Sequence, residues 1–288
     1  MRVLSFPIQT YTRTLGAASI PEAQVIAPNL GPLQGMYVQL TVSLTGATAS
    51  QTSNTIDNVI AFLTGQDQAG EILLNVRGQN DLLVLNDILQ PRGVRTSPPT
   101  ITTSAGGAGT ATWSFFLPFT VAGKGMPAKL NLTWNPTTSL QNAGLVSAGT
   151  VTATLKVTGA FSTATDQPSL RVRATAVPFA LGDNYIQQYL PNGEVVEALA
   201  VFLAAGDASL GQITLTAGGR FLLNLQDPTQ FTQQDAMLMQ SGHLSGEFIC
   251  RVPVFQVDST TTLNVNEVSA ATAITLYSIS TAAQQRAA

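Results

Sequence analysis

Apolar and polar residues alternate with a period of two along much of the chain. Residues 38–45, VQLTVSLT, place four aliphatic side chains on one side and Gln, Thr and Ser on the other. The same alternation occurs at 130–134, 151–157, 213–216 and 263–266. Successive side chains of a strand point to opposite faces, so this pattern predicts strands with one buried and one polar face. Threonine suits the polar face because its branched Cβ fits a pleated surface.

Four runs are apolar throughout and predict strands that are covered on both faces: 59–63, 82–85, 115–117 and 199–203. Helix signals are fewer. Residues 227–240 begin with a capping Asp227 and with Pro228 in the first turn, and 183–190 and 87–90 are shorter candidates. The pattern therefore predicts an all-β protein with few short helices.

Five segments of the first half recur in the same order in the second half. The first pair is VIAFLTGQDQAGEILL (59–74) with LAVFLAAGDASLGQITL (199–215), and the second is DLLVLND (81–87) with FLLNLQD (221–227). The other pairs are WSFFLPF (113–119) with EFICRVPVF (247–255), LNLTW (130–134) with LNVNE (263–267) and TVTATLKV (150–157) with ATAITLYS (271–278). A single match between hydrophobic strands carries little weight, but five in order indicate an internal duplication.

The repeated unit is too long for a solenoid or a propeller blade, whose repeats run to about 20–50 residues. A unit of about 130 residues with about eight strands has the size of a β-sandwich or a jelly roll. We therefore predict two tandem jelly-roll β-barrels, with domains at residues 1–160 and 161–288.

Charged residues are sparse. Only 10% of the 288 residues are charged, against a usual quarter, and the net charge is −3. Little self-repulsion opposes packing against other surfaces, which suits a subunit that packs against copies of itself as well as an ordinary β-rich protein. The 13 basic residues are scattered, which gives no electrostatic footprint for nucleic acid. Arg171 and Arg173 share a strand face, which we expect to be solvated or part of an interface.

The chain shows neither the apolar core of a signal peptide nor a run of about 18 apolar residues. We therefore expect a soluble protein that is made in a cytoplasm and not secreted. The sequon Asn131-Leu132-Thr133 would matter only in a secretory context.

Catalytic motifs are few. We interpret Cys250 as a small buried hydrophobe, and the alternative is a Cys–His pair with His243, seven residues upstream. One His and one Cys cannot build a typical zinc site. No GxSxG accompanies His243, and GGAG at 106–109 lacks the lysine of a phosphate loop.

Four aspartates occupy matching places in the repeat, Asp67 with Asp207 and Asp87 with Asp227. A calcium site needs several converging oxygens, and no DxDxD-like loop is present. We therefore interpret these residues as turn-forming and capping.

Trp113 and Trp134 could stack a sugar, but we favour a place in the barrel core. The prediction is therefore a protein with no catalytic, cofactor-binding or metal-binding residues, no cofactor and no enzymatic activity.

The repeated segments FLTGQD/FLAAGD, DLLVLND/FLLNLQD and FFLPF/RVPVF carry a resemblance. With the low charge and Thr-rich strands, the chain resembles the double-jelly-roll major capsid proteins of tailless icosahedral viruses with an internal membrane, which infect bacteria and archaea. The large capsid proteins of thermophilic membrane-containing phages are a close alternative within the same class.

The resemblance implies a structural subunit of the virion. Two barrels per chain would give a homotrimer six similar lobes, and such pseudo-hexameric trimers would tile an icosahedral shell. Neighbouring trimers, other coat proteins and an internal membrane are the implied partners, with no direct binding of nucleic acid and with assembly in the host cytoplasm. The long loops at 91–112 and 135–149 are candidates for outward-facing or trimer-locking parts.

Two other functions remain open at this point. The first is a carbohydrate-binding β-sandwich adhesin or lectin-like module, which would use Trp113, Trp134 and the polar loops. The second is a glycan hydrolase on a tandem jelly roll, for which His243 is the only histidine.

Overall fold

The computed structural model describes residues 3–15, 23–28, 30–46, 51–67, 69–89, 100–103, 106–118, 129–134, 150–162, 170–225, 228–231, 233, 245–269 and 273–282. The chain divides into two compact units. The first comprises Met1–Leu82 with Ser97–Ser169, and the second comprises Leu83–Thr96 with Leu170–Ala288. The predicted domain boundary at 160/161 stays a prediction, and a strand continues across it to Ser162.

The first unit contains ten strands among the described residues. They are β1 (Val3–Leu15), β2 (Ala23–Ile26), β3 (Leu33–Thr45), β4 (Gln51–Asn54), β5 (Ile60–Gln66), β6 (Ile72–Val76), β7 (Ile101–Thr103), β8 (Ala108–Leu117), β9 (Lys129–Trp134) and β10 (Thr150–Ser162). The helix α1 (Gln79–Leu89) follows β6 in the chain, and the boundary between the two units falls within it, after Leu82. One sheet has the order β1-β10-β3-β8, and a second run of neighbouring strands has the order β6-β5-β9-β2. The short strands β4 and β7 pair with each other.

The second unit contains nine strands among the described residues. They are β11 (Leu170–Val177), β12 (Gly182–Tyr185), β13 (Glu194–Leu203), β14 (Leu210–Ala217), β15 (Arg220–Leu225), β16 (Glu247–Cys250), β17 (Phe255–Gln256), β18 (Thr262–Glu267) and β19 (Ile274–Ala282). One run of strands has the order β16-β13-β19-β11, with β17 also paired to β13, and the other has the order β12-β18-β14-β15.

The two units have the same strand order. Without the short strands β4, β7 and β17, each unit has eight strands. In each, the first, eighth, third and sixth strands form one sheet, and the second, seventh, fourth and fifth form the other. Two four-stranded antiparallel sheets of this connectivity form a jelly roll. The predicted fold class, all-β with two tandem jelly rolls, is therefore confirmed.

The alternating segments bury the predicted faces. In β3 the side chains of Val38, Leu40 and Val42 are buried, whereas Gln39 is exposed. In the second unit, aliphatic residues of both sheets form one core, which Phe231 and Phe248 extend with an edge-to-face contact at 5.2 Å between ring centroids. Burial of each such side chain contributes about 1.5–3 kcal/mol.

Two of the five predicted repeat pairs are wrong. Residues 59–74 run into the hairpin of the fourth and fifth strands, whereas 199–215 join the third and fourth. Residues 81–87 lie in α1, whereas the matched segment 221–227 contains most of β15. The error arises because strands that end in Phe-Leu before a turn resemble one another. The other three pairs fall on the sixth, seventh and eighth strands of both units.

Three local predictions also need correction. Residues 82–85, predicted as a strand covered on both faces, lie in α1, because so short an apolar run fits either structure. Residues 183–190, a helix candidate, contain β12 and a 3₁₀ turn at Gln187–Tyr189. Of the predicted helix at 227–240, residues 228–231 and 233 are helical and the others lie outside the described residues.

Candidate functional surface

Two of the four aspartates from the predicted repeat bind backbone amides in turns. Oδ1 of Asp67 accepts a hydrogen bond from the N–H of Glu71 at 2.8 Å, and Oδ1 of Asp207 accepts one from the N–H of Gly246 at 2.6 Å. Asp87 is buried in α1, and Asp227 lies outside the described residues. The geometry at Asp67 and Asp207 is that of turn-forming carboxylates.

A pair of carboxylates that the sequence did not indicate lies at the start of α1. Oδ1 of Asp57 accepts a hydrogen bond from the N–H of Gln79 at 2.6 Å, and Oδ2 of Asp81 accepts one from the N–H of Arg77 at 2.7 Å. Partial burial raises the pKa of Asp57; the bond from Gln79 acts against this, and the nearby charge of Asp81 adds to it. The pair satisfies amides at a helix start, where the N–H groups lack helical partners.

The cleft beside this pair is too small for a substrate. It has a volume of about 10 Å³ and is lined by Ile56, Phe62 and Leu63 together with other residues of the same unit. That space accommodates about one water molecule. The carboxylates therefore serve the local fold.

The tryptophans and the sequon are not available at the surface. The side chains of Trp113 and Trp134 are buried, so neither ring is free to stack on a sugar. Asn131 is also buried, and its Oδ1 accepts a hydrogen bond from Nε2 of Gln24 at 3.0 Å. A glycan on this side chain would require Asn131 to leave its buried position beside Gln24.

The cysteine lies in the core of the second unit. Cys250 is buried, and its Sγ lies 3.9 Å from the carbonyl oxygen of Phe248. This environment fits the predicted role of a small hydrophobe. His243, its hypothetical catalytic partner, lies outside the described residues.

Arg171 and Arg173 bind a carboxylate that sequence analysis did not find. Nη1 of Arg171 lies 2.5 Å from Oε1 of Glu194, and Nη1 of Arg173 lies 2.7 Å from Oε2. The hydroxyl of Ser280 donates to the same carboxylate at 2.6 Å. Burial alone would raise the pKa of Glu194, but the hydrogen bonds from Arg173 and Ser280 and the two guanidinium charges lower it to about 2.

This cluster stands on the core-facing side of its sheet. Register pairing puts Arg173 on the same face as Val177, a core residue, and puts Ser280 on the face of Leu276. The inner face thus changes from aliphatic to ionic along the strands. The expectation of a solvated or interface face for the two arginines is wrong, because paired charges cover the core here.

Within the described ranges, no group of three or more His, Cys, Asp or Glu side chains is placed to hold a metal ion. None of the helices in those ranges is long and apolar enough to cross a membrane. The features that remain are the outer faces of the sheets.

The outer face of the β1-β10-β3-β8 sheet is an array of hydroxyls, which we call the hydroxyl face. Cross-strand register arranges it in three rows: Thr12, Thr154, Thr41 and Thr112; Thr14, Thr152, Ser43 and Thr110; and Thr10, Lys156, Gln39 and Ser114. Ten of these twelve residues carry a hydroxyl, and one carries a charge. All twelve are exposed or half-buried.

Hydroxyls of the hydroxyl face bond to each other across strands. The Oγ1 atoms of Thr12 and Thr154 lie 3.2 Å apart, those of Thr41 and Thr112 lie 3.0 Å apart, and Ser43 bonds Thr110 at 3.1 Å. These hydroxyls form hydrogen bonds within the face. A surface that packs against it would therefore also contact the methyl groups of the threonines.

The outer face of the β12-β18-β14-β15 sheet carries amides instead, and we call it the amide face. Its polar residues include Asp183, Gln212, Thr214, Asn224, Asn264 and Asn266, and the hydroxyls of Thr216 and Thr262 bond to each other on the same face. Asn264 and Asn266 donate to Oδ1 of Asp183 at 3.0 and 2.9 Å, and these bonds lower the pKa of that carboxyl. Tyr185 and Phe221, on the two edge strands, are 60% and 73% exposed.

Comparison with known proteins gives a match in structure and none in sequence. No family model and no curated protein matches the chain. The STIV major capsid protein superimposes with a TM-score of 0.69 and 12% identity, over 97% of this chain and 100% of that one. The capsid protein of PBCV-1 gives 0.62 and 12%, over 96% and 92%.

The major capsid protein P2 of bacteriophage PM2 is also similar, with a TM-score of 0.58 and 10% identity over 99% of each chain. This chain has the double-jelly-roll fold of these capsid proteins. Because the match runs end to end in each case, the double jelly roll accounts for essentially the whole length of the chain.

Proposed function

We propose that this chain is a viral major capsid protein, a structural subunit that assembles into trimers whose six barrels form a pseudo-hexagonal tile. One observation carries the proposal: the same eight-strand order occurs twice, and the double jelly roll spans the full length of capsid proteins that have the same fold. Three copies of a duplicated barrel give six similar lobes, and closed symmetry needs no further component.

The chemistry of the described residues supports a structural role. The carboxylates described above accept hydrogen bonds from backbone amides, from asparagine side chains or from arginines and a serine. The cleft at Asp57 accommodates about one water molecule, and both tryptophans are buried. We therefore assign no catalytic residue. The capsid proteins with this fold are structural, which also supports a non-enzymatic role.

The proposal extends to partners and place. The chain binds copies of itself first, in the virion, and other coat proteins and an internal membrane are the further partners that the family suggests. Assembly takes place in the host cytoplasm. Each of the predicted domains, 1–160 and 161–288, supplies one lobe of the tile.

Size-exclusion chromatography with light scattering tests the trimer. The purified chain has a mass of 30.2 kDa, and we expect a species of three times that mass, with larger assemblies as the concentration rises. A single species of monomer mass at every concentration and salt would contradict the proposal.

A further inference from the structure

The hydroxyl face of the first unit has few features of an ordinary solvated surface. A protein surface is commonly about a quarter to a third charged, whereas Lys156 is the single charge among its twelve residues. At one end, the rings of Tyr37 and Phe116 are in contact with 4.7 Å between centroids, and Tyr37 is 50% exposed. The face therefore has a low electrostatic cost of desolvation.

Its hydroxyls are also arranged for burial. Bringing an unsatisfied hydroxyl out of water costs free energy, whereas one that already has a partner keeps it. Three cross-strand pairs provide such partners without any outside molecule. The same pairs restrict the rotamers of the central threonines, so less side-chain entropy remains to be lost on association.

The area fits a protein interface. The whole outer face of this sheet, with the hydroxyl face at its centre, spans four strands about 4.8 Å apart and about ten residues long, at about 3.4 Å per residue, and so has a projected area of about 650 Å². The accessible area is larger because the side chains add relief. A stable interface covers about 800 Å² on each partner.

The equivalent face of the second unit is already covered. On the first, eighth, third and sixth strands of that unit, the outward residues include Val172, Tyr277, Ala200 and Ile249, and all four are buried. The same sheet is thus a packing surface in one unit and an exposed one in the other.

We propose that the hydroxyl face is the surface through which one copy of this chain packs against a second copy. This inference rests on the proposed function. A second copy is the occupant because the whole chain has the same low charge, so two copies meet with little repulsion. Lys156 is the single cation among its twelve residues, so the face offers no cationic cluster to an anionic partner.

Cysteine protection tests the contact in the full-length chain. Thr41→Cys and Thr154→Cys each place one thiol at the centre of the hydroxyl face, and the buried Cys250 gives a low background. The matched control is Thr214→Cys, which lies outward on a central strand of the amide face and is also half-buried. The rate of maleimide labelling is measured in dilute and in assembled samples.

We expect assembly to slow labelling at positions 41 and 154 by at least tenfold, and to slow it less at position 214. If the chain assembles into particles but labelling at 41 and 154 is as fast as in the dilute sample, the inference is overturned. The proposed function is then unaffected, because the chain still assembles. Equal slowing at 214 would overturn the assignment to this face. A chain that never assembles would overturn both proposals.

A second pair of variants tests the chemistry of the face. Thr41→Lys places a charge at its centre, and we expect at least tenfold less assembled material at equal total concentration. Thr41→Val keeps the shape and loses the hydroxyl, and we expect assembly within about twofold of the unsubstituted chain. Wild-type assembly of Thr41→Lys, with unchanged thermal melting of the dilute protein, would contradict the inference.

Discussion

The sheet of first, eighth, third and sixth strands has opposite surroundings in the two units. In the first unit its outer face carries Thr41, flanked across the strands by Thr154 and Thr112, and these residues are half-buried or exposed. In the second unit the matching third strand carries Ala200, flanked by Tyr277, and both are fully buried.

The comparison shows which residues the fold itself requires and which depend on what surrounds each barrel. Inner faces of both sheets are mainly aliphatic, because each barrel needs its own core, and the ionic cluster on Glu194 is the exception in the second unit. Outer faces differ because the strand order does not determine what covers them. The residue types at outward positions of a duplicated barrel therefore depend on what the barrel contacts. Those at inward positions depend on the fold.

The largest expected difference concerns a charge on the third strand. Ala200→Lys buries an ammonium without a partner, so we expect the free energy of unfolding to fall by about 4 kcal/mol. Thr41→Lys, at the outward position of the third strand in the other unit, should change it by about 0.5 kcal/mol or less. Urea denaturation of the dilute protein measures both, and similar losses would remove the contrast between the two faces.

Core truncation should affect both units alike. Leu155 and Leu276 lie on the eighth strands of the two units and point inward, with almost no exposed surface. Leu155→Ala and Leu276→Ala should each lower the free energy of unfolding by about 3 kcal/mol, the transfer and cavity cost of a buried leucine. Urea denaturation measures the loss for each variant against the unsubstituted chain. If the losses in the free energy of unfolding of the two variants differ by more than about 2 kcal/mol, the two cores are not equivalent.

The ionic cluster on Glu194 should make the second unit sensitive to acid. Its pKa in the folded chain is about 2, below the ordinary 4.5, so its stabilisation is present above pH 4.5 and is lost as the pH falls towards 2. Glu194→Gln should cost about 2 kcal/mol at pH 7 and flatten the loss of stability between pH 4.5 and 2.

Glu197→Gln is the control, because Glu197 is exposed on the same strand. Denaturation midpoints measured across that pH range give the comparison. An equally steep pH dependence in Glu194→Gln and the unsubstituted chain would show that another group is responsible.

A small effect on stability is also expected for Thr41→Val. The substitution removes one exposed hydroxyl pair, Thr41 with Thr112, so the free energy of unfolding should change by less than about 1 kcal/mol. A loss of several kcal/mol in the dilute protein would mean that the hydroxyl face stabilises the barrel itself.

Sequence patterns predict the inner faces well. Residues such as Leu40 and Leu155 stand in strict alternation with polar neighbours, and a half-buried strand is the simplest structure with that period. Of the five repeat pairs from which the duplication was inferred, the last three fall on matching strands of the two units. In contrast, the apolar run at 82–85 is too short to show a helical period, so only the end of α1, within the candidate at 87–90, was predicted as helical.

Contacts between residues far apart in the chain could not be predicted from the sequence. Arg171 and Arg173 stand out as a pair, but Glu194 joins them only because β11 and β13 both flank β19. Asp57 and Asp81 are likewise brought together by the fold at the start of α1. Threonine on alternate positions indicated a polar face, but only strand register shows that it forms continuous rows across four strands.

Electron cryomicroscopy of the concentrated, purified chain tests the central claim most directly. The account predicts particles with threefold symmetry and six similar lobes, each filled by one barrel, and sheets of such tiles at higher concentration. Isolated chains with two lobes under all conditions, or assemblies whose subunits form no six-lobed ring, would contradict it.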